Sequence, residues 1–178
     1  VIISELKQVS DKFGQPRKTE IIYETAQIEP EDEEDDTPDY PVTLFVSKEG
    51  YLKKITAQSL RMSGEQKFKE GDSLSFSVET NNKAEILVFT NQFQCYKSRL
   101  SDFEDSKASL LGEYLPQKLG FDAGESVVQV LLPGDYKGFA LFFFENGKAA
   151  KVPMSAYETK TNRKKLTGAY SDKSPLKT

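Results

Sequence analysis

The chain contains no histidine, and that absence removes much of ordinary enzyme chemistry. Histidine triads, imidazole general bases and histidine-ligated metal sites are excluded. Cysteine occurs once, at Cys95, so neither an internal disulfide nor a thiolate zinc site can form. A lone thiol in a strand-like run reads as core and fits a reducing cytosol. No G-x-x-x-x-G-K-[ST] or G-x-G-x-x-G run exists to cradle a phosphate. The acidic residues at 31–36 lack the D-x-[DN]-x-[DN]-G pattern of a calcium loop. No apolar run approaches the roughly 18 residues of a membrane span. The opening VIISELKQVSDKFG has no initiator Met, basic leader or small-residue cleavage site. The expectation is therefore a piece of a longer polypeptide, without a signal peptide.

What is present is a β-repeat studded with lysines. LFVSKEGYLKKI (44–55), LVFTNQFQCYKS (87–98) and LFFFENGKAAKV (141–152) align. Leu44, Leu87 and Leu141 open them, and Lys54, Lys97 and Lys151 fall near their ends. A second element repeats ahead of the later two, as FKEGDS (68–73) and FDAGES (121–126). Periods of this size in strand-rich sequence point to propeller-like blades.

Charge divides unevenly along the chain. Residues 1–41 hold four Lys/Arg and twelve Asp/Glu, whereas residues 42–178 hold twenty and sixteen. A mildly basic repeat region thus follows an acidic lead-in, a pattern that suits an anionic partner.

Residues 1–12 read as the end of a helix, with Ile2, Leu6 and Val9 at helical spacing and Gly14 and Pro16 as stops. Residues 20–28 are β-prone. Residues 29–41, EPEDEEDDTPDYP, repel one another, bury nothing and read as a solvated linker that could compete with a polyanion. From 42 onward strands dominate: a hairpin turning at Glu49-Gly50, the alternating SLSFSVET, a hairpin turning at Asn91-Gln92, VVQVLL, and a hairpin turning at Glu145-Asn146-Gly147. Leu110–Leu119 reads as a short helix or connector. The polar NRKKLTGAYSDKSPLKT offers no completing strand pair, so the last repeat reads as truncated. Tyr51, Tyr96, Tyr114 and Tyr157 read as packing residues.

Matching positions on successive blades should project from matching places. Lys53, Lys54, Lys97, Arg99, Lys148 and Lys151 then form a basic stripe around the rim, suited to a bent polyanion.

These residues resemble a known family. SELKQVSDKFGQPRKTEI (4–21) is similar to the stretch closing the breakage-reunion core of bacterial type IIA topoisomerase A subunits, F/Y-G-D-x-R-[RK]-T-x-[IL]. Phe13, Gly14, Arg17, Lys18, Thr19 and Ile21 match, and Gln15 replaces the usual acid. EGYLKKI (49–55), ILVFTNQFQCYK (86–97) and GESVVQVL (124–131) resemble elements of the family's C-terminal β-pinwheel, with Phe93 where glycine is usual. The fold implied is all-β: a propeller-like β-pinwheel of about three blades, the last incomplete, preceded by a short helix and an acidic linker. The implied domains are the end of the core (1–28), the linker (29–41) and the partial pinwheel (42–178).

The resemblance implies a domain that binds and bends duplex DNA for ATP-dependent strand passage. In the family, cleavage uses a tyrosine preceded by arginine; no Arg-Tyr pair occurs here, so the resemblance implies that the covalent chemistry lies outside this chain and that no residue here is catalytic. The first-rank contacts are the six stripe residues. Arg61, Lys67, Arg163, Lys164 and Lys165 form a second rank. The resemblance implies no cofactor or metal in this piece, with ATP and Mg²⁺ used through other domains. It also implies two protein partners in the whole enzyme, a second A subunit plus the ATPase B subunit. No membrane association, a monomeric fragment and a bacterial cytoplasmic, nucleoid-associated location are implied as well. Gyrase A subunits carry Q-[RK]-R-G-G-[RK]-G after the first blade's hairpin, but here the region reads SLRMSGEQKFKEGDS (59–73). This favours a topoisomerase IV-like role over a divergent gyrase that wraps DNA. A propeller-like protein-interaction scaffold is the reading from another class.

Overall fold

A computed structural model describes residues 2–13, 37–62, 65–159 and 164–177. The chain divides into two compact units, Val1–Asp36 and Thr37–Thr178. In the first, α1 (Ile2–Phe13) forms as its apolar spacing predicts, and Ile3, Leu6, Val9 and Phe13 are exposed. The β-prone run 20–28, and the family-like motif from Gly14 to Ile21, lie outside the described residues.

The second unit is built from three antiparallel hairpins. They are β1 (Pro41–Ser47) with β2 (Tyr51–Thr56), β4 (Glu85–Thr90) with β5 (Gln94–Arg99), and β8 (Phe139–Phe143) with β9 (Ala149–Pro153). The repeat keeps its register, for Leu44 pairs with Lys54, Leu87 with Lys97 and Leu141 with Lys151. Further strands complete two sheets. The first runs β3 (Leu74–Asn81), β1, β2, β6 (Glu113–Tyr114), and the second β10 (Lys165–Thr167), β5, β4, β7 (Val127–Leu131). In each, one outer strand arrives only after the next hairpin has been made, which ties consecutive blades together. The polar C-terminal stretch therefore does have a partner, since Lys165, Leu166 and Thr167 pair with Tyr96, Cys95 and Gln94. Two short helices, α2 (Ala57–Met62) and α3 (Leu115–Leu119), fill connections.

Sheets stack by burying alternate faces. Val42, Leu44 and Val46 of the first blade pack with Ile86, Val88 and Tyr96 of the second. Leu87, Phe89 and Cys95 on the second blade's other face pack with Ala140, Phe142 and Phe144 of the third. The middle strand is thus covered on both sides, which is why its centre, ILVF (86–89), is a continuous apolar run. FALFF is buried only at alternate residues, leaving Phe139, Leu141 and Phe143 exposed.

The turns carry a second repeated device. A register shift falls between Val46 and Ser47 and again between Phe89 and Thr90. Just beyond it, Lys48 N donates to Ser73 O (2.9 Å) and Asn91 N to Ser126 O (3.1 Å), and at the third hairpin's turn Glu145 N donates to Pro175 O (3.1 Å). The acid of each G-[DE]-S element sits here. Asp72 accepts from the amides of Glu49 (3.1 Å) and Ser73 (2.8 Å). Buried Glu125 accepts from the Thr90 hydroxyl, Tyr96 Oη (2.8 Å) and Asp122 N (2.8 Å). The hairpin turns demand a left-handed residue, supplied by Gly50 (φ 88°) and Gly147 (φ 77°). The equivalent Phe93 adopts φ 61°, a conformation that costs roughly 1–2 kcal/mol without glycine. Its ring meets Tyr170 edge-on at 5.5 Å, which offsets that cost.

Candidate nucleic-acid interface

The repeated lysines do not all stand on the surface. Lys54 is 3% exposed. Its ammonium donates to Asn82 Oδ1 (2.7 Å) and Leu100 O (3.1 Å) and lies 3.2 Å from Asp105, across the boundary between the first two blades. Lys53 is 2% exposed and donates to Lys67 O, Ala108 O (3.1 Å) and Gln66 Oε1 (3.5 Å), with the Phe68 ring 5.0 Å away. Burial pushes its ammonium below the ordinary lysine value. The expectation that these two project from the rim is corrected. Neighbouring residues on a two-residue period point to opposite faces, and both faces of this strand are covered.

Lys97 is intermediate. It is 14% exposed, lies 3.2 Å from Glu85 and sits 4.9 Å from the Tyr136 ring. Tyr136 Oη in turn donates to Glu85 (2.7 Å), and burial with that hydrogen bond raises the phenol. Lys151, at the same register position in the third blade, is exposed, with its ammonium 3.8 Å from the Phe139 ring. The equivalent lysines thus grade from buried Lys54 through partly covered Lys97 to exposed Lys151.

Of the remaining predicted contacts, Arg61, Lys67, Arg99, Lys148 and Lys164 are exposed. Lys165 is half-buried and 2.7 Å from Asp122, and the ion pair raises the lysine and depresses the acid. Arg163 lies outside the described residues. The fold brings some of these together. Lys164 lies beside Lys97 through a backbone bond of 2.8 Å, and Lys148 and Lys151 share one hairpin. Arg61 lines a groove of about 330 Å³ with Pro41, Val42, Thr43, Leu60 and Glu79.

Other cations are neutralised locally: Lys69 by Glu49 (2.7 Å), Lys118 by Glu113 (2.7 Å) and Lys137 by Asp135 (2.8 Å). The available positive charge is therefore concentrated on fewer residues than the sequence suggests. One of them, exposed Lys107, escaped the sequence reading. Its neighbour Ala108 accepts from Lys67 N at 2.9 Å, a pairing of distant segments that carries no local signal. Cys95 is fully buried, and its thiol is pushed up to about 12 by desolvation. Among the described residues, no group of three metal-ligating side chains assembles. No described helix is long and apolar enough to cross a membrane.

No protein-family model matches the chain. It is 30% identical over 170 residues to the A subunit of DNA topoisomerase 4 from Staphylococcus epidermidis, covering 93% of this chain and 21% of that protein. The Staphylococcus aureus protein of the same name is 29% identical over the same length. The chain thus spans about a fifth of the length of the curated relatives it matches. Among solved structures, the C-terminal domain of DNA topoisomerase IV aligns with a TM-score of 0.69 at 24% identity, covering 78% of this chain and 45% of that one. The E. coli ParC C-terminal domain aligns at 0.51 and 20% identity, covering 63% and 44%. These likenesses establish the β-pinwheel fold.

Proposed function

Because the chain is homologous to the C-terminal region of DNA topoisomerase IV A subunits, we propose that it is the DNA-binding, DNA-bending domain of a type II topoisomerase A subunit. The observation that carries this reading is the similarity to topoisomerase IV A subunits along 93% of the chain. Residues 59–73 lack the double glycine of the gyrase box, which supports a topoisomerase IV-like role. In the whole enzyme the domain would position a duplex for strand passage. The cleaving core, a second A subunit plus the ATPase B subunit would supply the ATP- and Mg²⁺-dependent chemistry in the bacterial cytoplasm.

Binding of this kind is mostly phosphate contact with little base readout. Bending 20–30 base pairs by 40–90° costs on the order of 1–6 kcal/mol, so contacts must come from several blades. The contact set supported by exposure is Arg61 and Lys67 on the first blade, Arg99 and Lys164 on the second, and Lys148 and Lys151 on the third. Lys53 and Lys54 leave that set because they are buried, and Lys97 because it is engaged.

The test is charge reversal on the third hairpin. Lys148→Glu with Lys151→Glu should weaken binding to unrelated duplex sequences alike. Lys137→Glu, at a cation already held by Asp135, should have a smaller effect. Equal affinities for wild type and the double variant would remove this face from the interface. Failure of wild type to bind any duplex at low salt would leave the scaffold reading.

A further inference from the structure

Lys53 is a buried cation with no carboxylate within ion-pair distance among the described residues. Its partners are two main-chain carbonyls and one side-chain amide, drawn from separate surface segments: Gln66 and Lys67 from one, Ala108 from the other. Residues 65–69 run without regular structure and alternate in burial, with Gln66 and Phe68 turned inward and Glu65, Lys67 and Lys69 outward. The inward pair meets Lys53 through the Gln66 amide and the Phe68 ring. The outward Lys67 backbone is fixed to the other segment by its bond to Ala108 O.

Two exposed lysines, Lys67 and Lys107, thereby lie on adjoining backbones above a buried ammonium. Neither has an acid partner among the described residues, whereas outward Lys69 is taken by Glu49. At the equivalent place in the second blade, Tyr96 stands where Lys53 does and stacks on Phe121 at 4.5 Å. Its hydroxyl is used by Glu125. In the first blade the strand residue itself is the cation that ties two loops together, whereas in the second the cation comes from another strand, with the Lys165 ammonium 5.5 Å from the Tyr96 ring and paired to Asp122.

We propose that Lys53 is a positioning residue that staples segment 65–69 to Lys107–Ala108, so that Lys67 and Lys107 together seat one phosphate of a nucleic-acid backbone. This rests on the DNA-binding reading. It gives the segment standing at the gyrase-box position a different way of meeting a duplex: held down on the blade, with two free lysines in place of a glycine-rich loop. Lys53 contributes its charge from beneath and touches no phosphate itself.

The test uses the full chain, a labelled duplex and a salt series, with amide hydrogen exchange of residues 65–69 alongside. Losing one phosphate contact lowers the slope of log K against log salt by about 0.9. Lys67→Gln, Lys107→Gln and Lys53→Met should each lower it by about that amount. The Lys67/Lys107 double variant should lower it by no more than either single one, because one phosphate is lost once. Lys53→Met should also speed exchange of the Lys67 amide at least tenfold. A merely structural Lys53 would alter stability and leave the slope unchanged, and that result overturns the proposal. Strictly additive losses at Lys67 and Lys107 overturn it as well, and these two surface variants carry the test alone if Lys53→Met does not fold. If wild type itself fails to bind at low salt, the DNA reading falls and the seat with it. If wild type binds and all three variants match it, only the seat falls.

Discussion

Replacing Lys54 by alanine should destabilise the β unit by about 3 kcal/mol. The Lys54 ammonium makes two hydrogen bonds to buried or partly buried oxygens and an ion pair with Asp105. Removing one member of a buried charged pair typically costs about 3–5 kcal/mol, because its partners stay behind without compensation. Here the cost sits at the low end, since Asp105 is 42% exposed and can turn to water. The relieved desolvation of the lysine acts in the same direction. Lys54→Met keeps the stem packed but leaves the same oxygens without a donor, so it should cost only about 1 kcal/mol less than alanine. For a unit of this size 1 kcal/mol shifts Tm by roughly 3–4 °C, so Lys54→Ala should melt about 10 °C below wild type.

Thermal unfolding followed by near-UV circular dichroism reads this directly, with Lys151→Met as the control at the equivalent exposed position. A cycle with Asp105→Asn should give a coupling of about 1 kcal/mol. If Lys54→Ala melts within about 2 °C of wild type, or Lys151→Met costs as much, the inter-blade latch does not exist. For the same reason, charge reversal at Lys54 would be a poor probe of DNA binding: it would unfold the blade first.

Other outcomes follow from the same geometry. Gly112→Ala should be severely destabilising in chemical denaturation, because φ is +89° and a Cβ would meet Leu52 O at 2.3 Å and Lys53 Cγ at 2.7 Å. Burial raises the Asp72 carboxyl, but the Ser47 hydroxyl and the Glu49, Ser73 and Lys48 amides outweigh it and hold it below its ordinary value. That stabilisation is present above the unfolded-state pKa of about 3.9 and is lost as pH falls through the folded-state value. Wild type should therefore lose more Tm below pH ~4 than Asp72→Asn, and parallel curves would refute the assignment. The Cys95 thiol should resist alkylation at pH 8 until the chain unfolds. Labelling of the native protein at the unfolded rate would contradict its burial.

Much of this fold is legible in the sequence because apolar periodicity and turn residues are local signals. The three hairpins form as read, and the aligned Leu and Lys positions prove to be paired partners. What the sequence does not reveal is which blade covers which face. YLKKIT reads as a half-polar rim strand, yet both its lysines are buried, because the segments that satisfy them arrive up to 55 residues later. The polar stretch near the C-terminus carries no hydrophobic run of its own. It pairs because the open edge of β5 supplies the partners its residues lack locally. Residues 38–40, grouped by composition with the acidic linker, are fixed to the β unit by bonds from Asn82 to Tyr40 O and Pro38 O (both 2.9 Å). In the candidate interface, exposed Lys148 and Lys151 stand where the repeat puts them, whereas Lys107 enters only through a tertiary backbone bond.

The most direct measurement is the affinity of the full chain for a mixed-sequence duplex of about 40 base pairs as salt is raised from about 50 to 200 mM. Each neutralised phosphate contributes about 0.9 to the fall of log K with log salt. Six exposed candidate contacts are spread over three blades. Binding at low salt is therefore expected, with little dependence on sequence and a slope between about −3 and −5. Absence of binding at the lowest salt, or binding with a slope near zero, would contradict the DNA-binding reading.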